Sequence, residues 1–496
     1  MQVVNLSSGA RRGVPLAAGS PPEESPPMRW IAAPGGLHCF RAALLLPLLT
    51  LALAAAPRSA RAAGTLDPAS IHETLFPNGL RLLVKEGHAV NLVAIQYWVR
   101  TGGFHETERN RGVAHFIEHL IFKGTDRYPQ GGIDEEIEDL GGVLNGVTEK
   151  DWVMFGTTVA SQYAGKALEV LGDALRHPKF RPEELDTERR VIVEEAAAQR
   201  LDPERVVTGR LFHIAYPHHP YGNDVLGTPE TIAKMTRAEV QQFFADQYTP
   251  SNATLVIAGD VDAATLIPAV RAAFGVEVTP GNPVPTPLPA PDPPPAAARE
   301  ALEGHGQEAY YGVAFPAPAV SDPDVHAMDI LVTLLEQGTY GRLSAALSGL
   351  ATSVKATFET RRQPGLLTVI VGAPPAALPK VETIVLGVLR DLARNGPTPA
   401  EVQATKSVLA GSYAVDNETF AGQANTLGYY ASIDRWQFAV EYLPAIGRVT
   451  ASQVHAVAAK YLDPAHGVTV ITSPSPAPSP PPGTPGRLPN QREARR

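Results

Sequence analysis

Cysteine is nearly absent: Cys39 stands alone among 496 residues. A single thiol cannot build a disulfide framework. It also excludes any cysteine-rich zinc or iron–sulfur site, so a bound metal would have to rest on histidine and carboxylate. Basic runs are missing as well. Lys and Arg number 42 against 51 Asp and Glu, a net charge of −9, without the basic field that nucleic-acid binders carry. No nucleic-acid partner is expected. Long apolar runs are also lacking: the prominent one, Ala42–Ala56, has 15 residues, short of the roughly 20 that span a bilayer. What is plentiful is core material. At 44% hydrophobic and 19% charged, the composition excludes a disordered chain.

The apolar run follows Arg29 and Arg41 and precedes Ala60-Arg61-Ala62, a small-x-small pattern. It reads as an export signal cleaved before Ala63, with an uncleaved N-terminal membrane anchor as the alternative. The residues before Met28 are polar and proline-rich, which makes Met28 a candidate start. Cys39 lies ahead of the run, so it is not placed as a lipoprotein cysteine. A processed chain would then carry no thiol, which suits an oxidising compartment, the periplasm above all.

Proline is abundant but clustered, with nine between Pro280 and Pro295 and eight between Pro474 and Pro489. Lacking an N–H and fixed in φ, these stretches cannot form helix or central strand. Residues 279–298 therefore read as an extended linker and 474–496 as a disordered tail. Two α+β halves remain, 63–278 and 299–473, after an N-terminal segment 1–62. Strand patterns fall at Leu80–Lys85, Asn91–Arg100, Trp152–Val159 and Ala253–Ala258 in the first half. In the second they fall at Glu308–Phe315, Val354–Glu359, Leu366–Val371 and Gly467–Thr472, with helices at Val325–Glu336 and Arg342–Leu347. The two halves share an order of elements.

The segment Gly112–Gly124 reads GVAHFIEHLIFKG. His115, Glu118 and His119 fall at i, i+3 and i+4, on one face of a helix, with Val113, Phe116, Ile117 and Leu120 free to pack around it. Two imidazoles at i and i+4 suit one tetrahedral zinc ion, and a carboxylate between them can take a proton from water at the metal. Such a pattern arises by chance in about one such chain in forty, so an ordinary hydrogen-bonded His–Glu cluster is the plain alternative. A third ligand has a candidate in the helix Pro182–Arg200. There Leu185, Glu188, Ile192 and Glu195 form one stripe, whereas Glu194 is rotated away. Carboxylates on a stripe that should be apolar need a partner; zinc is one, and a solvated face with Arg189, Arg190 and Glu194 is the other reading.

With these residues in view, the chain resembles the insulinase/pitrilysin family of zinc peptidases, whose inverted motif is H-x-x-E-H, and in particular its short, processing-peptidase-like bacterial members. Asn78-Gly79-Leu80 with Val93–Gly103, Gly112–Gly124, Gly141–Asp151, Glu188–Glu195 and Tyr221–Ile232 carry the likeness, over about residues 72–473. The resemblance implies two homologous α/β-sandwich halves, each a mainly antiparallel sheet packed with helices, the second inactive. It implies one Zn2+ on His115, His119 and Glu195, Glu118 as the catalytic acid–base, and Glu188 as a supporting carboxylate. The activity implied is endopeptidase cleavage of peptides or unfolded chains bound as an added strand, at the edge formed by Asn145–Phe155. Trp152 and Phe155 read as core residues of that strand.

One departure stands out. Many family members carry an Arg and, seven residues on, a Tyr in the second half. Aligned on Gly349-Leu350-Ala351-Thr352, those places hold Ala345 and Thr352. This implies that the chain is the zinc-bearing member of a pair whose homologous, metal-less partner supplies Arg and Tyr; a homodimer is the other arrangement. A noncatalytic assembly subunit and a peptide-binding module that does not cleave are the competing readings. His213, His218 and His219 could suggest a second metal, but a solvated or hydrogen-bonding loop fits them better. His177-Pro178 reads as a helix stop, and His105 has no assigned role.

Overall fold

Ala-Thr-Leu-Val-Ile-Ala-Gly at 253–259 has no polar face, and all seven residues are buried. Such a strand needs cover on both sides, and the architecture supplies it from both halves of the chain. The structure, a computed structural model, describes residues 66–276, 297–304 and 306–474. The export signal, its cleavage site, nearly all of the linker and the tail beyond Pro474 lie outside the described residues.

In the first half, β1 (Ile71–Leu75), β2 (Arg81–Glu86), β3 (Leu92–Val99), β4 (Asn145–Thr148), β5 (Val153–Ala160) and β6 (Ala253–Gly259) form a sheet in the order β1-β2-β6-β3-β5-β4. Its helices are α1 (Val113–Ile121), α2 (Gly132–Asp139), α3 (Ala164–Arg176), α4 (Pro182–Gln199), α5 (Pro203–Ala215), α6 (Pro229–Lys234), α7 (Arg237–Gln247) and α8 (Ala263–Phe274). In the second half, β7 (Ala298–Gly304), β8 (Ala309–Ala317), β9 (Ser353–Phe358), β10 (Gly365–Ala373) and β11 (Val468–Pro474) are ordered β7-β11-β8-β10-β9. With them go α9 (Val325–Glu336), α10 (Arg342–Ala346), α11 (Leu378–Asn395), α12 (Pro399–Asp416), α13 (Phe420–Ile433), α14 (Gln437–Arg448) and α15 (Ala451–Tyr461). Setting β1 aside, the sheets match strand for strand. Each has one parallel pair, β2–β6 and β7–β11, at the same place.

The alternation of side chains along β3 shows how both faces are covered. Val93, Ile95, Tyr97 and Val99 pack with α1, α3, α7 and α8 of their own half. Ala94 and Trp98 point the other way, into the core that holds Ala424, Leu427 and Ala431 of α13. The second sheet returns the arrangement. Tyr311, Val313 and Phe315 face its own helices, while Ala314, Leu366, Ile370, Val468 and Val470 pack against Val207, Leu211, Phe212 and Ala215 of α5. Each half thus lends one helix to the other's sheet. The exchange is tight enough to require glycine. A Cβ on Gly428 of α13 would lie 2.1 Å from Trp98 Nε1, and one on Gly312 of β8 would lie 2.3 Å from Val207 Cγ1.

Two strands escape the sequence reading, β1 and β7. Both close the ends of their sheets. The β7 segment, expected as linker at residue 298 and without a strand before Glu308, alternates between half-buried and exposed and has no buried residue. Edge strands present few apolar side chains, so they leave little pattern to read. Phe155 is fully buried, as expected. Trp152 is half-buried and packs on Trp98, with ring centres 4.8 Å apart.

Candidate metal centre

Helix α1 begins at a glycine in the left-handed region, Gly112 at φ 88°, with no cap from its own side chain. The cap comes from six residues upstream. Buried Glu106 accepts from Gly112 N at 2.8 Å and Ala114 N at 3.0 Å, satisfying N–H groups that the helix leaves open. Burial pushes its carboxyl up to about 7, against the pull of those two N–H groups. The helix is thereby anchored at the end from which His115 projects.

His115, His119 and Glu195 each offer a donor atom to one point, all within 4.8 Å of one another. Glu195 Oε2 lies 3.7 Å from His115 Nε2 and 3.5 Å from His119 Nε2. Those spacings are long for hydrogen bonds. They suit the edge of a tetrahedron, about 3.4 Å for ligand bonds of roughly 2.1 Å. One carboxylate and two imidazoles form the donor set that zinc takes, so the residues fit the ion. Burial holds His115 down at about 4, with His119 adding to the effect. Burial also opposes charge on His119, but its hydrogen bond to Glu188 and the nearby Glu195 carboxylate outweigh that and raise it to about 9.

The surrounding shell orients these groups. Glu188 Oε2 accepts from His119 Nδ1 at 3.0 Å and Oε1 pairs with Lys123 Nζ at 2.8 Å. Glu188 is desolvated, yet these two partners keep its carboxyl below the usual range. Gln199 donates to Glu195 Oε1 at 2.9 Å. Glu118 stands between the histidines in sequence, and its Oε2 accepts from Thr148 Oγ1 of β4 at 2.5 Å. Burial pushes Glu118 up, with the Thr148 hydroxyl opposing. β4 ends its sheet, and a Cβ on its Gly146 would lie 2.7 Å from Glu118 Cγ, so strand and carboxylate touch.

The structure therefore brings together all five residues singled out above: His115, Glu118, His119, Glu188 and Glu195. It leaves Glu194 exposed. His213 and His218 are exposed too, whereas His219 accepts from Tyr221 N through Nδ1 and meets Gln363 at 2.9 Å through Nε2. These histidines do not converge. His177 follows α3 and bonds back to Asp173 at 3.1 Å. Ala345 and Thr352 are both exposed. Sequence reasoning missed Glu106, Lys123, Thr148 and Gln199. Lys123 and Gln199 sit four residues beyond His119 and Glu195, a helical spacing that could have found them. Thr148 and Glu106 depend on chain pairing that no local pattern carries.

Residues 81–229 match the family described as insulinase (peptidase family M16), and residues 234–409 match the domain described as peptidase M16 inactive domain. A protein of Mycobacterium tuberculosis named an uncharacterized zinc protease is 28% identical over 413 residues, 82% of this chain and 94% of that protein. The mitochondrial-processing peptidase subunit beta of Blastocladiella emersonii is 34% identical over 223 residues, 45% of this chain and 48% of the other. In fold, the crystal structure of a protease from Helicobacter pylori superposes with a TM-score of 0.77 at 22% identity, covering 82% of this chain and 99% of that one.

Proposed function

The chain belongs to the insulinase family of peptidases, and on that premise we propose that it is a zinc-dependent endopeptidase acting on peptides or unfolded chains bound in extended form. The observation that carries this is the convergence of His115, His119 and Glu195 beside a carboxylate, Glu118, that is hydrogen-bonded to a terminal strand. Zinc held by these three side chains would supply a Lewis acid that acidifies water and polarises the scissile carbonyl. Glu118 takes a proton from the attacking water and passes it to the leaving amine. Its raised affinity for protons, from burial, suits that exchange. Thr148 aims the carboxylate. Glu188 holds His119 Nδ1, which leaves Nε2 toward the metal position. The open edge of β4 offers main-chain groups to which a substrate strand adds, a mode that tolerates many sequences.

The test is zinc content and cleavage of a peptide library by the purified chain and by Glu118→Gln. Full zinc with cleavage lost only in the variant supports the reading; full zinc with equal cleavage by both overturns it. A second reading, a noncatalytic assembly subunit, is favoured by Ala345 and Thr352, where relatives carry Arg and Tyr. In the peptidase reading a homologous, metal-less partner supplies that pair; a homodimer, the other arrangement, would have to work without it. Equal turnover of the chain alone and with the candidate partner rules out the heterodimer. Export to the periplasm completes the proposal. It rests on the Ala42–Ala56 run, and an N-terminus at Ala63 in the exported protein is the check.

A further inference from the structure

A second polar cluster lies where the two halves meet, away from the metal ligands but one residue from Thr148. Its first-half part is the turn between β4 and β5. The backbone carbonyls of Glu149 and Lys150 accept from Gly103 N and Phe104 N at 3.2 and 2.7 Å. The side chain of Asp151, 1% exposed, accepts from Tyr221 Oη at 2.7 Å and from Arg362 N at 3.3 Å. The second-half part is the turn between β9 and β10, whose Gln363 N also donates to Tyr221 Oη at 3.3 Å.

Arg361 of that turn is 5% exposed. Its guanidinium lies over the rings of Phe212 and Tyr221, 5.7 and 5.5 Å from their centres, both first-half residues. Nη2 pairs with Glu359 and stands 4.0 Å from Glu149 Oε2. Nε and Nη1 are buried with no hydrogen-bond partner. A buried cation with two unused donors is a costly way to join two halves. Rings and carboxylates hold it, and the carboxylate it reaches in the first half belongs to Glu149, which follows Thr148 directly. β4 has four residues and pairs on one side only, so its position depends on what holds its turn.

We propose that Arg361 is a positioning residue for the reaction: from the half that lacks metal ligands, it fixes the β4–β5 turn and, through Glu149 and Thr148, sets the carboxylate of Glu118. The proposal rests on the peptidase reading above. A catalytic group displaced by about 1 Å can lose about a hundredfold in rate. The experiment compares the full chain with Arg361→Gln, Arg361→Lys, Glu149→Gln and a control, Trp436→Phe. The control removes an inter-half hydrogen bond, Trp436 Nε1 to Glu73 Oε2 at 2.9 Å, at β1, the opposite end of the sheet. Arg361→Gln is expected to lower kcat about ten- to a hundredfold with KM within about twofold and zinc content unchanged. Arg361→Lys should recover part of that loss, Glu149→Gln should share it, and Trp436→Phe should keep the parent kcat. Should Arg361→Gln fail to fold, Glu149→Gln decides, and an unchanged kcat there overturns the proposal. A zinc-loaded parent that cleaves nothing, either alone or with the homologous partner, overturns the peptidase reading and the proposal with it. An active parent whose Arg361→Gln variant keeps kcat within about twofold, or whose Trp436→Phe variant loses as much, overturns the proposal alone.

Discussion

Helices α4 and α12 occupy matching places in the two halves, and each runs 18 residues from a proline at its first position. Counted from those prolines, Leu185 and Ile192 correspond to Val402 and Leu409, and Glu184 to Glu401, each glutamate completing a capping box. The difference lies in two positions. Where α4 carries Glu188 and Glu195, α12 carries Thr405 and Ser412. The partner helices differ in the same way. α1 presents His115 and His119 to a common point, whereas the histidine of α9, His326, stacks on Phe438 with ring centres 5.0 Å apart. The apolar stripe and the caps keep the fold, so the fold survives without the metal site. A handful of polar side chains, present in the first half only, make the candidate site.

That comparison can be broken. His115→Ala should lower both zinc content and peptide cleavage to background, while His326→Ala should leave both intact; loss of zinc in the second variant would erase the distinction between the halves. Next in size is Glu118→Gln, expected to keep zinc and lose about 10²–10⁴-fold in kcat, the usual span for a general acid–base. Glu188→Gln should weaken zinc affinity about 10–100-fold, as supporting carboxylates of histidine ligands do, measured by competition with a chelator. Its mirror is Thr405→Glu. Thr405 is 1% exposed and donates to Glu401 O at 2.9 Å, and the α9 histidine is taken up in stacking on Phe438, so no zinc gain and a loss of about 1–3 kcal/mol of stability are expected, readable by urea unfolding.

The smallest expected effect concerns the caps. Arg342 and the Thr398 N–H hold Glu401 at about 2, well below the usual carboxylate range. Since the folded form has the lower pKa, the contribution is complete above the unfolded value and fades as pH falls from there through about 2. The group is partly solvated, so Glu401→Gln should cost about 1 kcal/mol at pH 7 and almost nothing below pH 2.

Much of the site is legible in the chain. His115, Glu118 and His119 share a helical face by spacing alone, and Glu195 is exposed as a candidate by its place on an otherwise apolar stripe. Glu106 and Thr148 are not legible in this way. One caps a helix across a loop, and the other reaches Glu118 across 30 residues from a short strand. β1 and β7 stay hidden because edge strands need few apolar residues.

Local periodicity located the central strands, put His115, Glu118 and His119 on one helical face and put Glu188 and Glu195 on one stripe, because a helix or strand imposes its own repeat on side chains a few positions apart. The exchange of α5 and α13 between halves, the seat of Arg361 on Phe212 and Tyr221, and the hydrogen bond that aims Glu118 were decided by tertiary structure. Each joins segments far apart in the chain, and which surfaces meet is settled by what the whole core can bury together.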